Sequence, residues 1–218
     1  MPFYRRNLPH LQEPGAEYFV TFRLAGSLPK EVILQLKESR HFLEKDFCKD
    51  VDYQLRKRRI DELFFKKYES LLDSQSTGPH WLKKKSIAAI VMEALHFRDR
   101  KEYDLYAYCI MSNHVHIVFK DLSPYQLNPI PEKEKEKAFP VTKIMHSLKS
   151  YTALMANRKL NRTGAFWHEE SYDRMIRSET ELENTIRYTL NNPVKINLVT
   201  DWWDWPYNYC KPEFSESF

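Results

Sequence analysis

Two apolar, aromatic runs, Tyr103 to Ile110 and His114 to Phe119, are separated only by Met111-Ser112-Asn113. Short β-branched and aromatic runs flanking a small polar turn are the pattern of a hairpin, and a mid-chain hairpin commits the fold to antiparallel strands. Side chains alternate across a strand, so His114 and His116 leave one face together while Val115, Ile117 and Phe119 fill the other, the core face. Neighbouring imidazoles on a rigid strand make half of a divalent-metal site. The pair alone reads first as two partly exposed sheet histidines. It gains meaning only with a third ligand and a group for the metal to activate.

The rest of the chain supplies strands and helices without regular alternation. Tyr18 to Leu24 follows Pro14-Gly15 and reads as the first strand. Glu31 to Phe47, Val51 to Leu72, and Trp81 to Arg98 carry apolar residues at helical spacing. The cluster Arg56-Lys57-Arg58-Arg59 reads first as a solvated helix face. Asp121 to Pro140 has the prolines and charges of an exposed loop, and Val141 to Leu160 is a basic amphipathic helix. Ser171 to Arg177 is a possible strand. Ser178 with Glu181 matches a capping box, opening a helix expected to run to Asn191 and stop at Pro193. This order predicts an α+β fold, an antiparallel sheet with helices packed on it, and argues against a doubly wound parallel sheet.

A chain of 218 residues that is 42% hydrophobic has enough apolar side chain for one substantial core. We read residues 1–218 as a single domain, with 48–80 as a helical insertion. A net charge of +4 does not by itself indicate nucleic-acid binding. Only 4 glycines occur and no phosphate-binding glycine motif, which argues against a nucleotide cofactor. Cys48, Cys109 and Cys210 are odd in number and far apart, so neither a zinc ribbon nor a disulfide framework is expected. A reducing, cytoplasmic setting fits, as does the lack of a signal-like or membrane-spanning apolar stretch.

The predicted last helix carries Tyr188 and Asn192, four residues apart and therefore on one face. A phenol and an amide oxygen brought against a His-x-His strand form a usable chemical set. The amide and imidazoles hold a hard cation with open positions, the cation polarises a phosphate oxygen, and the phenol attacks phosphorus. An ordinary tyrosine loses its proton near pH 10, so the proton must leave as attack occurs. Tyr188 packing its ring into the core, and asparagines simply ending a helix, are the competing structural explanations.

Three motifs in order resemble the HUH single-tyrosine transposases, in particular the REP-associated tyrosine transposase-like branch. They are Met111-Ser112-Asn113-His114-Val115-His116-Ile117-Val118, the segment Phe166-Trp167-His168-Glu169-Glu170-Ser171-Tyr172-Asp173-Arg174-Met175-Ile176-Arg177, and Ile186-Arg187-Tyr188-Thr189-Leu190-Asn191-Asn192-Pro193-Val194-Lys195. Trp203-Asp204-Trp205-Pro206 follows them. The resemblance runs from Tyr4 to about Pro206. It implies a ferredoxin-like, RRM-like sheet with the histidines on a central strand. It also implies His114, His116 and Asn192 as metal ligands, Tyr188 as nucleophile, and Mg²⁺ or Mn²⁺ as the ion. The activity implied is cleavage and rejoining of single-stranded or hairpin DNA through a 5′-phosphotyrosine, by a monomer or homodimer, with no membrane association.

Such a reaction needs contacts to a DNA strand. Arg5, Arg6, Lys143, Lys149, Arg158, Lys159 and Arg162 are the candidate phosphate contacts, and Tyr4, Phe166 and Trp167 the candidate base-stacking groups. His168 and Glu169 are candidates to support the metal ligands. Two departures from the family pattern stand out: the long helical stretch from Val51 to Pro79, and Lys195-Ile196-Asn197 where a glycine is common. Two other functions stay open at this point. One is a non-catalytic nucleic-acid-binding protein retaining the fold; the other is a metal-dependent hydrolase using water.

Overall fold

The computed structural model describes residues 3–5, 9–11, 13–46, 53–74, 77–123 and 140–215. In chain order, β1 (Phe3–Arg5) and β2 (Pro9–Leu11) pair as a small antiparallel ribbon, and β3 (Glu17–Arg23) follows. Helices α1 (Lys30–Asp46), α2 (Tyr53–Ser74) and α3 (Lys85–Arg98) precede the hairpin of β4 (Tyr103–Ile110) and β5 (His114–Asp121). Then come α4 (Pro140–Lys159), β6 (Tyr172–Ile176), α5 (Glu179–Leu190), α6 (Asn192–Lys195), β7 (Asn208–Cys210) and α7 (Pro212–Ser215).

Five strands form one antiparallel sheet in the order β6-β3-β5-β4-β7, which places the histidine strand at the centre. The path β3-α3-β4-β5-α4-β6 is a split β-α-β pair, since β5 lies between β3 and β4. That is the ferredoxin-like topology that the family resemblance implies. β7 was not anticipated. It is only three residues long, too short for its pattern to be read, and it adds an edge to β4.

Register divides the sheet into two chemically different faces. Tyr18, Val20, Phe22, Val115, Ile117 and Phe119 point into the core together with Ile87, Val91 and Leu95 of α3 and Ile144, Met145 and Leu148 of α4. A bulge at Tyr106 shifts the β4 register between Leu105 and Ala107. Strict alternation puts Leu105 on the face of Cys109; the extra residue reverses the parity. Tyr103, Leu105, Tyr108 and Ile110 therefore all enter the core. Arg98 ties the two covering helices by donating from Nη2 to Ser147 Oγ at 3.0 Å.

The opposite face carries a straight row of paired residues. Tyr172, Thr21, His116, Cys109 and Asn208 stand side by side across the sheet. Helix α5 crosses this face. At one end Arg174 of β6 forms an ion pair at 2.8 Å with Glu181, and at the other Asn208 Nδ2 of β7 donates to the Leu190 carbonyl at 2.9 Å. Its start is capped as expected: Ser178 Oγ accepts from the Glu181 amide at 3.2 Å. The carboxylate of Glu181 returns to the Arg177 amide instead of that of Ser178. Pro193 does not end the helical path. It opens α6 at the first turn, where a missing N–H costs nothing.

Residues Ala25–His80 form a second compact unit between β3 and the turn that leads into α3. It begins at Ala25, upstream of residue 48, because α1 packs against α2. Lys67 Nζ donates to Ser39 Oγ at 2.6 Å between the two helices. At its base an added Cβ on Gly78, where φ is +95°, lies 2.8 Å from the Gly26 carbonyl oxygen, so only glycine fits. The helix expected over Trp81 to Arg98 is a 3₁₀ turn at Trp81–Lys83 followed by α3. Among the described residues no helix is long and apolar enough to cross a membrane.

Candidate active site

His114 and His116 are both buried, and their Nε2 atoms stand 3.0 Å apart. Each ring is turned by a partner on its other nitrogen. Asn113 Oδ1 is 2.7 Å from His114 Nδ1, and Thr21 Oγ1 is 2.8 Å from His116 Nδ1. Phe19 stacks on His116 with centroids 5.6 Å apart and an interplanar angle of 15°. An Nδ1–H donated to the asparagine oxygen leaves the His114 Nε2 lone pair aimed at the gap. This is how metal-binding imidazoles are oriented by their outer partners.

Tyr188 arrives on this face from α5, half-buried, with its ring centroid 6.0 Å from that of His116 and 6.0 Å from that of Phe19. One turn further on, Asn192 is fully buried and its Nδ2 donates to the Tyr188 carbonyl at 2.9 Å. Its Oδ1 is a buried acceptor with no hydrogen-bond partner among the described residues. Lys195 Nζ lies 6.0 Å above the Tyr188 ring. The structure thus brings His114, His116 and Tyr188 onto one face, with Asn192 held against the backbone of the tyrosine.

These residues suit a divalent ion on two grounds. Ligand nitrogens about 2.1 Å from an ion and at right angles to each other are themselves about 3.0 Å apart, which is the observed Nε2 separation. The orphaned Asn192 oxygen is a hard donor of the kind such an ion takes. A buried carbonyl oxygen left unpaired costs about 1–3 kcal/mol, a cost that coordination removes.

The candidate strand contacts are distributed differently. Lys143, Arg158 and Lys159 are exposed on α4, across the sheet from the imidazoles. Lys149 donates to the Glu169 carbonyl at 2.7 Å and to Ser171 Oγ at 3.3 Å. Burial, partly offset by Glu169, pushes its ammonium down to about 8. Arg162 is half-buried, with its guanidinium 4.1 Å over the Trp81 ring and its Nη2 donating to the Ala165 carbonyl at 3.2 Å. The side chains of Tyr4 and Arg5, and all of Arg6, lie outside the described residues.

Phe166 and Trp167 are core residues and do not serve as base-stacking groups. Trp167 packs edge-on against Phe22 at 4.8 Å and donates from Nε1 to Thr152 Oγ1 at 2.8 Å. His168 sits at the margin: its amide donates to the Arg23 carbonyl at 2.8 Å. Burial, reinforced by the Arg23 guanidinium, pushes the His168 imidazole pKa down.

Thr21, Asn113 and Phe19 were missed as site residues. The signal was present, since Thr21 interrupts an aromatic strand and shares its parity with Phe19 and Arg23, but it needs the β3–β5 register to be seen. Arg23 is another: it is buried and directly opposite His114 in that register.

No family model matches the chain. A search of curated proteins finds a Putative REP-associated tyrosine transposase of Haemophilus influenzae, 26% identical over 111 residues. The match takes in 49% of this chain and 58% of the relative, so it spans little more than half of that protein's length. Among solved structures, one described as a REP-associated tyrosine transposase bound to a REP hairpin aligns over 95% of this chain and 82% of its own. Its TM-score is 0.46 at 12% identity. The curated relative carries the same family name that the motifs around His114, Trp167 and Tyr188 had suggested: this chain is similar to the REP-associated tyrosine transposases.

Proposed function

We propose that this protein cleaves and rejoins single-stranded or hairpin DNA by metal-dependent transesterification at Tyr188. The observation that carries the reading is the convergence of the His114 and His116 Nε2 atoms, 3.0 Å apart, on the sheet face where the Tyr188 ring lies 6.0 Å from that of His116. His114, His116 and Asn192 would hold Mg²⁺ or Mn²⁺, which would supply Lewis-acid polarisation of a phosphate oxygen and offset the negative charge on the phosphoryl oxygens. Tyr188 Oη attacks phosphorus and the bond to the 3′ oxygen breaks. The phenolic proton ends on the departing 3′ hydroxyl, and the 5′ phosphate stays on the tyrosine. A 3′ hydroxyl attacking the phosphotyrosine reverses the exchange, so no nucleotide hydrolysis is needed. Asn113 and Thr21 keep the imidazoles oriented, and Phe19 limits the freedom of both His116 and Tyr188 by packing on each. A DNA substrate fits a cytoplasmic setting.

The test is a labelled hairpin oligonucleotide incubated with the protein and Mg²⁺ or Mn²⁺, then run under denaturing conditions. The parent gives a covalent protein–DNA band, and Tyr188→Phe gives none while still retaining the hairpin in a native gel. Nicking that survives Tyr188→Phe would show water to be the nucleophile, and no adduct from either protein with binding retained would leave a non-catalytic binder.

A further inference from the structure

We infer that Trp203 and Lys195 form the surface that receives the unpaired strand beside Tyr188, the indole stacking on a base and the ammonium meeting its phosphate. This deepens the reading of Tyr188 as nucleophile and rests on it. The backbone before Trp203 and the indole of Trp205 after it are committed to structure. The Trp202 carbonyl accepts from Asn208 Nδ2 at 2.8 Å, and Trp205 Nε1 donates to the Ile110 carbonyl at 3.1 Å. Those two bonds pin both ends of the 3₁₀ turn Trp202–Asp204 to the strand edge, and Trp203 between them is left 63% exposed. An indole held on a rigid turn loses little freedom when a base stacks on it.

The turn packs against α6, the element that carries Lys195. α6 is itself anchored to the nucleophile's helix, since Asn192 bonds the Tyr188 carbonyl and the Lys195 amide donates to the Asn191 carbonyl at 2.9 Å. Lys195 is exposed and its Nζ sits 6.0 Å above the Tyr188 ring. A cation beside the phenol, and an exposed indole on the turn that packs against the cation's own element, are the components of a single-strand groove, in which bases stack without sequence preference and phosphates are met by charge. Lys143, Arg158 and Lys159 of α4 stand across the sheet and do not supply it.

The experiment measures binding of a fluorescent oligothymidylate to the full-length protein in chelator, by anisotropy over a salt series. Trp203→Ala is expected to weaken binding about tenfold with its salt slope unchanged, while Trp203→Phe keeps most of the affinity. Lys195→Gln is expected to lower the slope of log affinity against log salt by about 0.7. Parent-like affinity in Trp203→Ala together with a parent-like slope in Lys195→Gln overturns the inference. So does loss of self-association in Trp203→Ala with unchanged DNA binding, which makes the patch a contact between copies. The adduct assay separates the two readings: no adduct in the parent, with the Trp203 loss intact, sinks the nucleophile and keeps the binding surface.

Discussion

At the level of single residues, orientation matters as much as identity. His116 has two nitrogens, and the Thr21 hydroxyl at 2.8 Å decides that Nδ1 is occupied and Nε2 faces its neighbour. Thr21→Val keeps the volume and removes that partner. It is expected to weaken Mn²⁺ binding by 10- to 100-fold, on the order seen when such supporting groups are lost, with the fold intact by circular dichroism. Lys149 permits a second test. Its folded value of about 8 lies below the ordinary 10.5, so the unfolded chain binds more protons between those values and stability rises with pH across that window. Cys210, pushed up to about 11 by burial, works in the opposite sense from pH 9. The clean interval is therefore pH 8 to 9, and a parent-minus-Lys149→Met difference in melting temperature should climb there.

At the level of elements, α5 is the part on which the site depends. It is short and mostly polar on its outer side, so its ends do much to hold it. Ser178→Ala removes the hydroxyl that accepts from the Glu181 amide and should cost about 1 kcal/mol in urea unfolding. The Arg174–Glu181 pair is partly exposed and contributes less to stability than to direction, fixing where α5 begins its crossing. Helix α4 was expected to be basic and is, yet its exposed charges flank the wrong face for the imidazoles. Amphipathic spacing tells which side of a helix is buried. It is silent about which face of the sheet that side meets.

Across the whole molecule, the sheet works as a partition. One face is a dry core shared with α3 and α4; the other is a polar row that α5 roofs. A reaction placed on the roofed face depends on the ion and on the helix together. Chelation should accordingly abolish the adduct without releasing the hairpin, and added Mn²⁺ should restore it, read as covalent band against native shift in the same samples.

How much of this was legible beforehand follows from the range of the forces involved. The hairpin, the parity of His114 and His116, the capping of Ser178 and the four-residue spacing of Tyr188 and Asn192 are local, set by backbone sterics and period, and the sequence alone determined them. Register, the Tyr106 bulge, the added β7 and the direction in which α5 crosses depend on contacts between residues far apart in the chain. Those contacts decided that Thr21 steers the His116 imidazole, that Trp167 is core while Trp203 is exposed, and that the phenol and the two Nε2 atoms meet on one face. Packing assigns each side chain to one place only, and that choice is made when the layers close.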